Sequence, residues 1–119
     1  MRLPVAMLCL AVALAAGEAQ ARVADPVRGR HLAIEACAAC HKVTAGQKQP
    51  APVADPDGGD SIAAPSFFAI AAKFGRDKPS LRAFILAPAH PMREQTFVPR
   101  DLGDIVAYIA SLRAAKRAF

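Results

Sequence analysis

Residues 37–41 read Cys37-Ala38-Ala39-Cys40-His41, two thiols separated by two alanines with a histidine directly after the second. Thiols one helical turn apart face the same side, and the histidine travels with them. A disulfide between positions this close would close too short a loop to staple a domain. A thioredoxin-like redox pair needs a strand before its cysteines, and structural zinc needs four ligands. Beyond the two cysteines, residues 22–119 offer only His31, His41 and His90, none at zinc-finger spacing. What remains is the Cys-x-x-Cys-His attachment pattern, in which the thiols add to two vinyl groups of a haem and the histidine becomes an axial ligand of its iron. Cys37, Cys40 and His41 are thus expected to hold one covalent haem c, with His41 on the metal.

Working outward, Asp25 and Pro26 precede the motif as an N-cap and a first-turn proline, and they predict a helix from 26 to about 38. Gly29, Ala33 and Ala36 lie along it at three- and four-residue spacing, small enough for another helix to approach. Residues 44–64 change character, crowding prolines, glycines and aspartates with hardly a large apolar side chain, and read as a solvated loop. The run Asp55-Pro56-Asp57-Gly58-Gly59-Asp60 invites a calcium reading. Its glycines, however, sit at the wrong offsets for a 12-residue calcium loop, and Ser66 stands where the terminal Glu belongs.

Downstream, Phe67, Ile70 and Phe74 predict a short helix over 66–74 ended by Gly75. Leu81, Phe84 and Ile85 predict another over about 79–87, stopped by Pro88. Residues 89–98 have no periodicity. Pro99 and Asp101 then open a last helix to about 115, whose apolar face is Leu102, Ile105, Val106, Ile109 and Leu112. Gly103 weakens that helix by about 1 kcal/mol relative to alanine, and Arg113, Lys116 and Arg117 suit the negative end of its dipole. No strand pattern and no internal repeat is visible, so the fold class expected is all-α.

The chain of 119 residues allows at most one small domain. Residues 1–21 form a separate unit: Arg2, an apolar run from Val5 to Ala16, and Ala19-Gln20-Ala21 make a cleavable secretory signal peptide. The run is too short to span a bilayer comfortably, which leaves a retained anchor as the weaker alternative. Cys9 sits inside the run with no lipobox before it and is discarded with it. The domain expected is therefore 22–119, exported, with no stable membrane insertion after cleavage. Of its apolar residues 21 are alanine and only 25 are large, too thin a core without a bound group to fill it. Its 14 basic residues against 9 acidic ones are scattered, which argues against nucleic acid as a partner.

Met92 is the one methionine of residues 22–119, placed in His90-Pro91-Met92 just before the last helix. A lone methionine beside prolines and Arg93 is a poor core residue and a good thioether ligand, so Met92 is expected as the sixth iron ligand, with His90 as its rival. His31 reads as a surface residue of the first helix.

With these residues in place, the stretch from Asp25 to Leu112 resembles the class I cytochrome c family. Gly29 stands eight residues before Cys37 as the family's first-helix glycine does, and Tyr108 is similar to the aromatic of its last helix, which crosses the first at that glycine. Pro65, in Ala64-Pro65-Ser66-Phe67, is similar to the proline whose carbonyl accepts from the axial histidine's outer nitrogen, and residues 88–92 resemble the methionine loop. Two features depart: Ala33 replaces an aromatic, a gap that Leu32 or Phe119 could fill, and the 44–64 loop is longer than in compact members. The resemblance implies a small cytochrome c fold, about four helices wrapped around one covalent haem. A site closed by His41 and Met92 has no open position for substrate. The function expected is therefore a periplasmic monohaem electron-transfer protein, not an enzyme, working with donor and acceptor proteins as a free carrier or as the electron-accepting subunit of a periplasmic dehydrogenase. The rival is a haem ligand-binding sensor or peroxidase-like protein in which the sixth position is open or displaceable.

Overall fold

The computed structural model describes residues 22–89 and 91–115. The expected signal segment 1–21, His90 and residues 116–119 lie outside them. Four helices follow in order: α1 (Pro26–Ala36), α2 (Phe67–Phe74), α3 (Lys78–Leu86) and α4 (Pro99–Ala115). Among the described residues there is no strand, only one isolated antiparallel bridge between Val53 and Ile62. The fold is all-α, as the apolar spacing predicts.

Each short helix begins where the chemistry allows. The Asp25 carboxylate accepts from the Val27 and Arg28 amides at 2.9 and 3.2 Å, Ser66 Oγ accepts from the Ala69 amide at 3.1 Å, and Asp77 accepts from the Ser80 amide at 3.0 Å. The Ser80 hydroxyl also donates to Asp77 at 2.6 Å, which holds that carboxyl below its ordinary range. α1 stops two residues short of the expected end, because Cys37 leaves the helical region and the amides of Cys40 and His41 fold back on its carbonyl at 3.2 and 2.9 Å. The attachment motif is therefore a turn after the helix rather than its last turn.

α4 is the spine against which α1, α2 and α3 pack. Its face Leu102, Ile105, Val106 and Ile109 is buried as the periodicity predicts, with Leu112 half-buried. α1 crosses α4 at Gly29, where a Cβ would stand 1.9 Å from the Asp104 carbonyl oxygen; only glycine permits that approach. One turn on, Ala33 is fully buried, with Leu32 packed at the core's edge. Phe119, the other candidate to fill the space beside Ala33, lies outside the described residues.

A buried charge cluster fastens the same crossing. Asp104 is wholly buried. It accepts from Arg22 at 2.9 and 3.2 Å, from Arg28 at 2.7 Å and from the Asp25 amide at 2.8 Å, while Arg28 also reaches Asp101 at 2.7 Å. The Arg22 guanidinium first, then the Asp25 N–H, hold the Asp104 carboxyl well below the usual carboxylate range against the opposing effect of burial. Arg113 lies in α4's last turn, as expected, and also donates to the Ala72 carbonyl in α2 at 3.3 Å.

The 44–64 segment is more organised than a solvated loop. Val53 and Ile62 exchange both backbone hydrogen bonds at 2.8 Å, and the enclosed turn uses Gly58 at φ +85°. Asp55 accepts from the Asp57 amide at 2.9 Å through its side chain. No group of three or more metal-ligating side chains occurs among the described residues.

Candidate functional site

The site lies in a cleft between the attachment turn, the α2 and α3 faces, the Met92 loop and α4. Cys37, His41 and Met92 line it together with Phe67, Ile70, Phe84, Ile85, Phe97, Ile105 and Ile109. Cys37 is half-buried and Cys40 exposed, both at the turn. Burial pushes the Cys37 thiol up to about 11, with Cys40 adding to the effect. Met92 is half-buried; its rival His90 lies outside the described residues. His31 is exposed on α1, as expected.

His41 is buried, and its Nδ1 lies 2.7 Å from the Pro65 carbonyl oxygen. A carbonyl can only accept, so Nδ1 carries the proton and Nε2 keeps its lone pair, the tautomer a metal ligand requires. The Phe67 ring stands 5.7 Å from the imidazole, tilted by 57°.

Three residues make polar contacts around this turn that have no periodic signature in the sequence and escape sequence reasoning. Gln47 Oε1 accepts from the Val43 amide at 2.8 Å, while its Nε2 donates to the carbonyls of Ala38 and His41 at 2.9 and 3.0 Å. The Tyr108 hydroxyl donates to the Val43 carbonyl at 2.5 Å, so the aromatic expected at the helix crossing also reaches the segment behind the histidine. The Phe67 amide donates to the Lys42 carbonyl at 2.9 Å, joining the start of α2 to the turn. Val43 itself is fully buried.

The donor set suits an iron porphyrin: the Cys37 thiol in the cleft wall with exposed Cys40 three residues on, an imidazole with its outer nitrogen engaged, a thioether in the same cleft, and apolar walls between them. Among the described residues no helix is long and apolar enough to cross a membrane. The cytochrome c family model matches residues 26–113. A curated protein named cytochrome c-552, from Bradyrhizobium diazoefficiens, is 36% identical over 106 residues, which span 89% of this chain and 92% of that one. No solved structure matches the chain significantly. The profile match over most of the chain and the cleft behind the attachment turn lead to one conclusion: the chain belongs to the cytochrome c family, proteins that carry covalent haem c and pass electrons to and from redox partners.

Proposed function

We propose that the chain is a periplasmic monohaem electron carrier, exported and cleaved before Arg22, in which Cys37 and Cys40 anchor the haem and His41 and Met92 are its two axial ligands. Bound haem supplies a one-electron ferric–ferrous couple. The protein's part is to hold that couple closed and dry. His41 presents Nε2 because Pro65 engages Nδ1. Met92 offers a soft thioether that favours ferrous iron and raises the potential. Phe67, Ile70, Ile105 and Ile109 keep water from the cleft. Partner contact falls on the exposed rim near Cys40, and the formal charge of +5 steers acidic partners in weak, fast encounters.

The observation that carries this reading is the His41 Nδ1 to Pro65 bond in the same cleft that Met92 lines. Met92→Ala tests it. The oxidised parent should show the weak long-wavelength band of thioether-bound ferric iron, and the variant should lose it, drop in potential and bind carbon monoxide when reduced. A spectrum and potential unchanged by Met92→Ala would place another residue on the iron, and carbon monoxide binding to the parent would mark an open or displaceable position.

A further inference from the structure

Gln47 belongs to the long segment that separates the attachment turn from Pro65, yet its side chain points back and satisfies three backbone groups of that turn. Its carboxamide is used to the full where it matters: one oxygen receives the Val43 N–H at 2.8 Å, and one nitrogen gives its two protons to Ala38 and His41 at 2.9 and 3.0 Å. The assignment of nitrogen and oxygen is fixed by the partners, because a flipped amide would set its oxygen against two carbonyl oxygens and its nitrogen against an N–H. The bonds close residues 38–47 into a ring. His41 is thereby held at both ends, its ring by Pro65 and its main-chain carbonyl by Gln47.

We propose that Gln47 is the positioning residue of the axial histidine: by clamping Ala38, His41 and Val43 it fixes the attachment turn, and with it the angle at which the His41 imidazole enters the cleft. The clamp rests on the reading of His41 as an iron ligand. Pro65 alone leaves the imidazole free to pivot with its own backbone, since a single hydrogen bond at Nδ1 fixes a point and not a plane. The His41 N–H is held by the Cys37 carbonyl at 2.9 Å, and Gln47 completes the restraint by holding the carbonyl on the other side of the same residue. Its residue type follows from the task. Glutamate would keep the reach and the acceptor while losing both donors, and leucine would keep neither.

The test uses the haem-loaded protein. Hydrogen exchange at the Gln47 side-chain amide should be slowed about tenfold relative to free glutamine, the slowing that one net hydrogen bond supplies; exchange at the free rate overturns the clamp without any variant. Gln47→Glu and Gln47→Leu should both move the paramagnetically shifted His41 ring resonances of the oxidised protein, and both should shift the potential, while the Met92 band persists. Variants that melt earlier but leave the His41 resonances and the potential in place would show a merely structural residue and overturn the proposal. So would a Gln47→Glu protein indistinguishable from the parent, because the two donated bonds would then do nothing. Failure of the underlying reading looks different: the parent itself would lack His41 resonances shifted by iron.

Discussion

The two sides of the cleft are built by different means. On the histidine side the chain from Cys37 to Val43 is tied to distant elements, to Pro65 through Nδ1, to α2 through the Phe67 amide, to α4 through Tyr108 and to residue 47 through its carboxamide. Among the described residues, the methionine side shows hydrogen bonds to neighbours in sequence: the Met92 amide reaches the Ala89 carbonyl at 3.2 Å, and Gln95 reaches the Arg93 carbonyl at 3.2 Å. The first is fixed by long-range polar bonds around a buried ring, the second by a turn and a half-buried side chain. Under the proposed function such a division would suit a carrier: the histidine beside the two cysteines is firmly held, and adjustment to ligand loss or oxidation state would fall on the methionine loop.

The largest effect should come from breaking the crossing that delivers the histidine side. Gly29→Val puts a branched side chain where even a Cβ would stand 1.9 Å from a backbone oxygen, so α1 must shift from α4 and the attachment turn with it. We expect a loss of about 3 kcal/mol or more, the range of severe overpacking, and a large fall in haem content by absorbance. A variant that melts like the parent would mean that the crossing is looser than the structure has it.

Asp104→Asn should rank next. It leaves Arg22 and Arg28 facing a neutral group, and its pH dependence follows from the sign of the shift. The folded carboxyl titrates lower than the unfolded one, so its contribution is fully present above the ordinary carboxylate range and is lost as pH falls toward the depressed folded value. Denaturant melts of parent and variant should therefore differ at pH 7 and converge on acidification below about pH 4. A gap that is constant with pH would assign the variant's cost to packing instead.

Tyr108→Phe sharpens the comparison without disturbing shape. It deletes the hydroxyl that reaches Val43 and leaves a buried carbonyl unpaired, at a cost of about 1 kcal/mol. Haem content should be unchanged. The ring stays in place 6.3 Å from Phe67, so a loss several times larger would show that the histidine side is cooperative and cannot be taken apart bond by bond.

Much of this architecture is readable from local signals. Cys37, Cys40 and His41 stand out by their spacing, Asp25 stands where a helix start needs an acceptor, and α4 declares its buried face by period. Pro65 stood out only through the family resemblance, because nothing local distinguishes its carbonyl from others in a proline-rich stretch. Asp104 was invisible for another reason: it sits between apolar positions of α4, and its partners Arg22 and Arg28 are some 80 residues away. Gln47 likewise looks like any polar loop residue until the chain folds back. Pairing between remote polar groups depends on three-dimensional closure and leaves no period to detect.

The smallest effect separates the long segment's two halves. Residues 44–64 read as one solvated loop in sequence, but Gln47 bonds to the attachment turn while residues 54–61 form a closed turn beyond the Val53–Ile62 bridge. That bridge is a hydrogen-bonded pair, with both N–H to O distances at 2.8 Å, which is the pair that flanks a two-residue hairpin turn. Replacing residues 54–61 by Asn-Gly should therefore preserve the bridge. Shortening lowers the closure entropy by about 1 kcal/mol, which offsets the lost bonds at Asp55, so stability should stay within about 1 kcal/mol of the parent. Haem content and the potential should not move, since Pro65 and Gln47, which hold His41, lie outside the excised residues. If the shortened chain loses haem or shifts its potential, the closed turn supports the histidine side, and the firmness of that side would have to be shared with the long segment rather than assigned to Pro65, Gln47 and Tyr108.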